Sequence, residues 1–168
     1  MLLLSVLAFA MTGPQAQNLP QAQNLATVDL DHVMSTVHST KIWKSDVRQA
    51  RMLKLCDPAA QSDEAILTEL QNRVLMLAEV ARGQTSEPTA DQLAARRRDW
   101  EQALGAGTGV DALMARAGMT ARDLQGWLRD DLRISNYVDQ RFGALPPPQR
   151  TTRVKDWVAD LRQRAGLK

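Results

Sequence analysis

The chain carries one cysteine, Cys56, so no disulfide can close within it. Cys56 ends the run Arg51–Cys56, which reads as helical, and there a small buried hydrophobe is expected in place of a nucleophile. Net charge is also scarce: 21 Lys and Arg against 19 Asp and Glu leave +2, which speaks against a protein built mainly to hold nucleic acid. Aromatic residues are few, and four of them are Trp. The longest apolar run, Leu2–Met11, falls well short of the roughly twenty residues a membrane-spanning helix needs. A glycine-rich phosphate loop, a metal-ligand spacing and a nucleophile with a supporting base are all missing. His32 and His38 lack a third ligand and read as solvent-exposed. These absences point away from an enzyme, with no cofactor, metal or catalytic residue expected.

What is present begins with that apolar run. Followed by Thr-Gly-Pro-Gln-Ala-Gln, it resembles the core and cleavage region of a secretory signal, although no Lys or Arg precedes it. Residues 1–16 are therefore expected to be a signal peptide that directs export. The near-repeat Gln15–Pro20 and Gln21–Ala26 is uncharged and reads as a disordered spacer over 17–27. The folded domain is expected over 28–168.

Within that domain Val28–Trp43 is the one strand-like stretch. Val33, Ser35 and Val37 alternate with Met34 and Thr36, and a polar turn precedes Ile42, which predicts a small hairpin. The rest follows helical spacing. A first helix is predicted from Ser45 as N-cap to about Cys56, ended by Asp57-Pro58. The organising element is Glu64–Arg82, with Asp63 as N-cap and Gly83 at its end. Its apolar stripe Ile66, Leu70, Val74, Leu77 and Ala81 is widened by Leu67, Leu75, Met76, Ala78 and Val80. A helix so apolar needs neighbours on several sides. Thr89 and Gln92 form a capping box that opens a third helix, to about Leu104. Its Arg96-Arg97-Arg98 triplet points in three directions and reads as a solvated, partly salt-bridged face. A short helix, Val110–Ala117, ends at Gly118. Thr120 caps the next, about Ala121–Phe142, whose apolar stripe includes Asp131, read as an acid paired with an Arg at a helix crossing. Gly143–Arg150 is read as unable to continue a helix, and a closing helix is predicted over about Thr152–Ala165.

The order of these segments resembles the N-terminal domain of the SurA family of periplasmic chaperones. His32–Ile42 is similar to that family's opening strand and turn. Ser45-Asp-Val-Arg resembles the start of its first helix and Leu67–Arg82 its long apolar second helix. Ala117-Gly-Met-Thr through Arg141-Phe142 resembles the "AGxT…RF" helix, and Trp157-Val-Ala-Asp-Leu-Arg162 the closing one. The resemblance spans roughly residues 30–165 and implies a mainly α, compact multi-helix domain with a small N-terminal β-hairpin. It also implies that the closing helix docks on the N-terminal helices and buries Trp157. The chain departs from the pattern at the turn, where His38-Ser39 stands in place of Asn-Gly or Asp-Gly. It departs again at Gln71, where the family is aliphatic. Only Gly143–Arg150 occupies the junction at which the family inserts parvulin-type isomerase domains, so prolyl isomerase activity is not expected.

The function the resemblance implies is ATP-independent, non-covalent binding of unfolded or extended envelope proteins, peripheral to the membrane at most. A structural module that binds one envelope partner, or itself, is the alternative. The expected peptide-binding surface comprises Met119, Leu124, Trp127, Leu128, Asp131 and Tyr137.

Overall fold

The central helix, α2 (Asp63–Arg82), has the burial its sequence demands: from Glu69 to Val80 no residue is exposed. Its first turn is capped by Ser62, whose hydroxyl accepts from the Ala65 N–H at 3.1 Å, so the helix begins one residue earlier than the sequence suggests. Ile66, Leu70, Leu75 and Val80 are buried, whereas Ala81 on the expected stripe is exposed.

The computed structural model describes residues 30–60, 62–83, 85–105, 107 and 109–167. The expected signal peptide and the 17–27 spacer lie outside the described residues. From Asp31 onward the chain forms one unit, mainly α, with six helices and a two-stranded antiparallel sheet among the described residues.

Strands β1 (Val33–Val37) and β2 (Thr40–Trp43) form the hairpin, with Val37 opposite Thr40 and an irregularity between Val33 and Ser35. The two-residue turn requires a positive φ, which His38 supplies at 53°. Histidine is one of the few non-glycine residues that enter this region with some frequency, so the hairpin forms without Asn-Gly.

Helix α1 (Lys44–Met52) differs from expectation at both ends. Its N-cap is Trp43, whose N–H donates to Asp46 Oδ2 at 2.7 Å. Ser45 instead donates through its N–H (2.9 Å) and hydroxyl (2.7 Å) to Asp31, and those two bonds hold the Asp31 carboxyl below its ordinary value. The helix stops at Met52 because Lys54 turns left-handed, φ 48°. Leu55 N–H then reaches back to the Ala50 carbonyl and Lys54 N–H to that of Arg51, the paired bonds of a Schellman stop with lysine where glycine is usual.

Helices α3 (Ala90–Leu104), α4 (Val110–Ala117) and α5 (Ala121–Phe142) occupy their expected ranges. Reciprocal caps start two of them. Thr89 and Gln92 exchange bonds of 2.8 and 3.2 Å, and Thr120 and Asp123 do the same at 3.0 and 3.1 Å. Gly118, at φ 70°, ends α4. Helix α6 (Pro147–Arg164) starts about five residues before its expected position. Pro147 and Pro148 sit in its first turn, where the missing N–H has no intrahelical partner to lose. Only Gly143–Pro146 separates α5 from α6.

Two buried clusters hold these elements. The first joins Val37 and Ile42 of the hairpin, Val47 and Ala50 of α1, three residues of α2, and Trp157 and Leu161 of α6. The second joins Leu53, Trp100, Leu104, Met114, Ala117, Met119, Leu124 and Leu128. Trp157 is buried as the resemblance implies, with the tilted rings of Tyr137 and Phe142 of α5 centred 5.5 and 5.9 Å from it. Gln71, the polar departure, also has a role. It donates to Ser35 Oγ at 2.9 Å and accepts from Arg162 at 3.1 Å, tying β1, α2 and α6 together.

Candidate binding clefts

Asp131 stands on the inner stripe of α5 and is 18% exposed, so its charge needs partners. Arg73 of α2 supplies one through a short ion pair, and Arg96 of α3 supplies the other at 3.0 Å. The acid is thus the knot at a three-helix crossing, and the Arg partner that the sequence implied proves to be two. Arg73 does more: its Nη2 donates to the Trp127 carbonyl at 2.7 Å, and its guanidinium lies 4.0 Å from the Trp127 ring centroid. Of the triplet, Arg96 turns inward to Asp131, Arg97 pairs with Glu101 along α3, and Arg98 is exposed.

Trp127 packs against both buried clusters. On the two sides of this residue, and of Leu70 and Arg73, the protein opens into clefts. The larger, about 1030 Å³, is walled by Ile66, Leu70 and Met76 of α2, Ile134 of α5 and Val154 and Val158 of α6. Its polar wall is Arg73, Arg96 and Asp131, and the α1–α2 connection closes it with Leu55, Cys56 and Asp57. Glu69 fastens that connection by accepting the Asp57 N–H at 2.9 Å. Burial, and then the Glu69 charge, push the Cys56 thiol up to about 12. It stays protonated at neutral pH and is a poor nucleophile.

The smaller cleft, about 570 Å³, lies between β2 and the N-terminal half of α5. Val74 and Leu77 of α2 form its apolar floor, Ile42 and Gln49 contribute from β2 and α1, and Gly126 and Trp127 form the α5 wall. Gly126 sits inside a helix, where glycine is a poor choice, yet a Cβ built on it meets nothing within 4 Å. The packing around it does not require glycine.

The six residues expected to form a peptide surface are separated by the fold. Leu124 and Leu128 are buried in the second cluster, at 0% and 2% exposure, and Met119 joins them at 8%. All three hold α5 against its neighbours, and Met119 also lines the smaller cleft, whereas Leu124 and Leu128 line neither. Trp127 and Asp131 face the clefts. Tyr137 is half-buried against Trp157 and lies over Gly83, where a Cβ would come within 3.0 Å of its ring. Arg73, Arg96 and Gly126 were not singled out as site residues. The first two carried a signal, since an acid on an apolar stripe demands cations from facing helices. Gly126 carried another, as a lone glycine inside an otherwise continuous helical pattern.

Among the described residues no group of three His, Cys, Asp or Glu is arranged to hold a metal ion, and no helix is long and apolar enough to cross a membrane. No family model matches the chain, and no curated protein or solved structure does either.

Proposed function

We propose that this chain is a chaperone-like binding domain of the cell envelope, holding unfolded or extended segments of envelope proteins without ATP, cofactor or covalent chemistry. The observation that carries the reading is the incomplete cover of α2. Its apolar side chains Met76, Val74 and Leu77 face clefts where a neighbouring helix would normally pack. Apolar area left in a cleft attracts apolar segments by removing both from water. A mixed rim and modest buried area keep such binding weak enough to reverse. The resemblance of the segment order to the SurA family supports the same reading, and with it the Leu2–Met11 run, read as a secretory signal, supports a periplasmic location. Four residues join α5 to α6, and the activity proposed is binding without prolyl isomerisation. Clients are polypeptides; nucleic acid is not a partner, and any membrane association is peripheral.

Light scattering of several unrelated proteins, diluted from denaturant with and without the chain, tests this. Suppressed aggregation of most of them is the expected result. Tight binding of a single envelope protein with no effect on the others would replace the proposal by a dedicated assembly module. No effect on any would sink both.

A further inference from the structure

An indole inside a protein is usually fixed by its N–H or by close neighbours. Trp100 is anchored, its Nε1 donating to the Leu53 carbonyl at 2.8 Å. Trp157 has no acceptor for its Nε1 among the described residues, yet Tyr137 and Phe142 flank its ring and it lines neither cleft. Trp127 lacks both kinds of restraint. Its Nε1 is buried with no acceptor among the described residues, a costly state for a donor, and its ring borders open space on both sides. It is held from outside: the Arg73 guanidinium lies on its face, and Asp131 in turn holds Arg73. Leu70 also separates the clefts but is buried in the first cluster. The part of the partition free to move is therefore the indole.

The smaller cleft supplies what the present position lacks. Gly126 and Asp130 stand with Trp127 on its α5 wall. A Cβ at Gly126 would meet nothing within 4 Å, so room for a ring begins beside the indole. Asp130 lies about one helical turn on, along the same side of α5. Its carboxylate pairs with Arg133 at 3.5 Å and with Arg73 at 3.8 Å. A carboxylate accepts about four bonds, so sites remain for an indole N–H.

We infer that the Trp127 indole is a two-position gate between the clefts. In the position described above it stacks on Arg73 and divides them. In the other it rotates about its Cα–Cβ bond into the smaller cleft, over Gly126, and donates to Asp130. Stacking on a cation is exchanged for a hydrogen bond to a charged acceptor, interactions of similar size, so both positions are populated. The rotation fills the smaller cleft and widens the larger one. The gate thus sets how bulky an apolar group the larger cleft admits, whatever molecule carries that group. It also gives Gly126 a reason. A side chain there would occupy the second place of the ring, which outweighs the poor helix propensity of glycine.

The test uses the full chain labelled with 5-fluorotryptophan, which gives one fluorine signal for each of the four Trp. The signal lost in Trp127→Phe assigns the gate. Relaxation dispersion should show exchange on the microsecond-to-millisecond scale at Trp127 and none at Trp100. Arg73→Met removes the stacking cation and should raise the population of the second position about 5- to 30-fold, moving the Trp127 signal alone. Gly126→Leu fills the second place. By itself it should abolish the exchange, and combined with Arg73→Met it should return the Trp127 signal to the parent position. Absence of exchange at Trp127 in the parent overturns the gate. Exchange that Gly126→Leu leaves intact puts the motion elsewhere and overturns the assignment to the smaller cleft. Should Arg73→Met move all four signals by loosening the fold, the result for Gly126→Leu alone decides.

Discussion

The cluster beneath the hairpin and the cluster beneath α5 are built from similar side chains but recruited in different ways. The first takes Val37, Ile42, Val47, Ala50, Ile66, Leu70 and Leu75 from early in the chain, then nothing until Trp157 and Leu161. The second takes all but Leu53 from the stretch between Trp100 and Leu128. Their polar ties follow the same division. The first is stitched by Ser35, Gln71 and Arg162, three residues far apart in sequence. The second is anchored by Trp100 Nε1 donating to the Leu53 carbonyl at 2.8 Å, with Lys54 Nζ reaching the Ala103 carbonyl at 3.3 Å. One core is a closure between the two ends of the domain, and the other is a local assembly with a single outside anchor. Clefts open where the two meet, around Trp127.

The largest effect that would probe this difference is Trp157→Ala. Removing a buried Trp costs on the order of 3–5 kcal/mol, and here it unpins the closing helix from a core whose one other fully buried member from that helix is Leu161. Calorimetry should show the melt shifted far down. Deletion of 151–168 should yield a chain that aggregates. A truncated chain that melts cooperatively at the parent temperature would show that the hairpin core does not need its return helix. Leu124→Ala, at 0% exposure in the second cluster, should cost about 2–5 kcal/mol. Its signature should be local: amide exchange should rise first in α3, α4 and α5 and later in the hairpin. Equal loss of protection everywhere would mean that the two clusters are one cooperative unit.

A smaller effect is expected at the knot between them. Asp131→Asn removes the charge that holds Arg73 and Arg96, at a cost of about 1–3 kcal/mol. A double variant with Arg73→Met should recover part of that loss, because the unpaired cation goes too. Failure to recover would show that Arg73 acts mainly through Trp127.

The last effect is confined to alkaline pH. Folding raises the Cys56 thiol from about 9 to about 12, so the unfolded chain gives up this proton first. The associated stability is complete below pH 9 and is lost as the pH climbs toward 12. Thiol alkylation near pH 8 should be much slower in the native protein than in denaturant. Equal rates would place Cys56 outside the folded cluster it lines.

Elements whose boundaries are written by neighbours in sequence were legible. Thr89 with Gln92 and Thr120 with its helix announced α3 and α5, and Gly118 the end of α4, because each cap closes within a few residues. Boundaries set by distant or atypical groups were not. Asp31 takes Ser45 out of the capping position from 14 residues away. Lys54 adopts the left-handed turn usually marked by glycine, so α1 looked longer than it is. Proline read as a barrier where it is the first turn of α6. In the site, the pairing of Asp131 was visible from its place on an apolar stripe, but its partners depend on how three helices cross. The same crossing sends Leu124 and Leu128 inward, a choice that periodicity along one helix cannot make.

The return of α6 to the hairpin also has a consequence in time. The early members of the first cluster leave the ribosome long before Trp157 and Leu161, which lie near the end of the chain. Synthesis runs at about 5–20 residues per second, so Ile66 and Leu70 wait several seconds for the helix that covers them. The second cluster, whose last member is Leu128, can assemble during that wait. A chain that emerges N-terminus first, from the ribosome or across a membrane, can therefore hold the second core formed while the first stays open with its apolar surface uncovered.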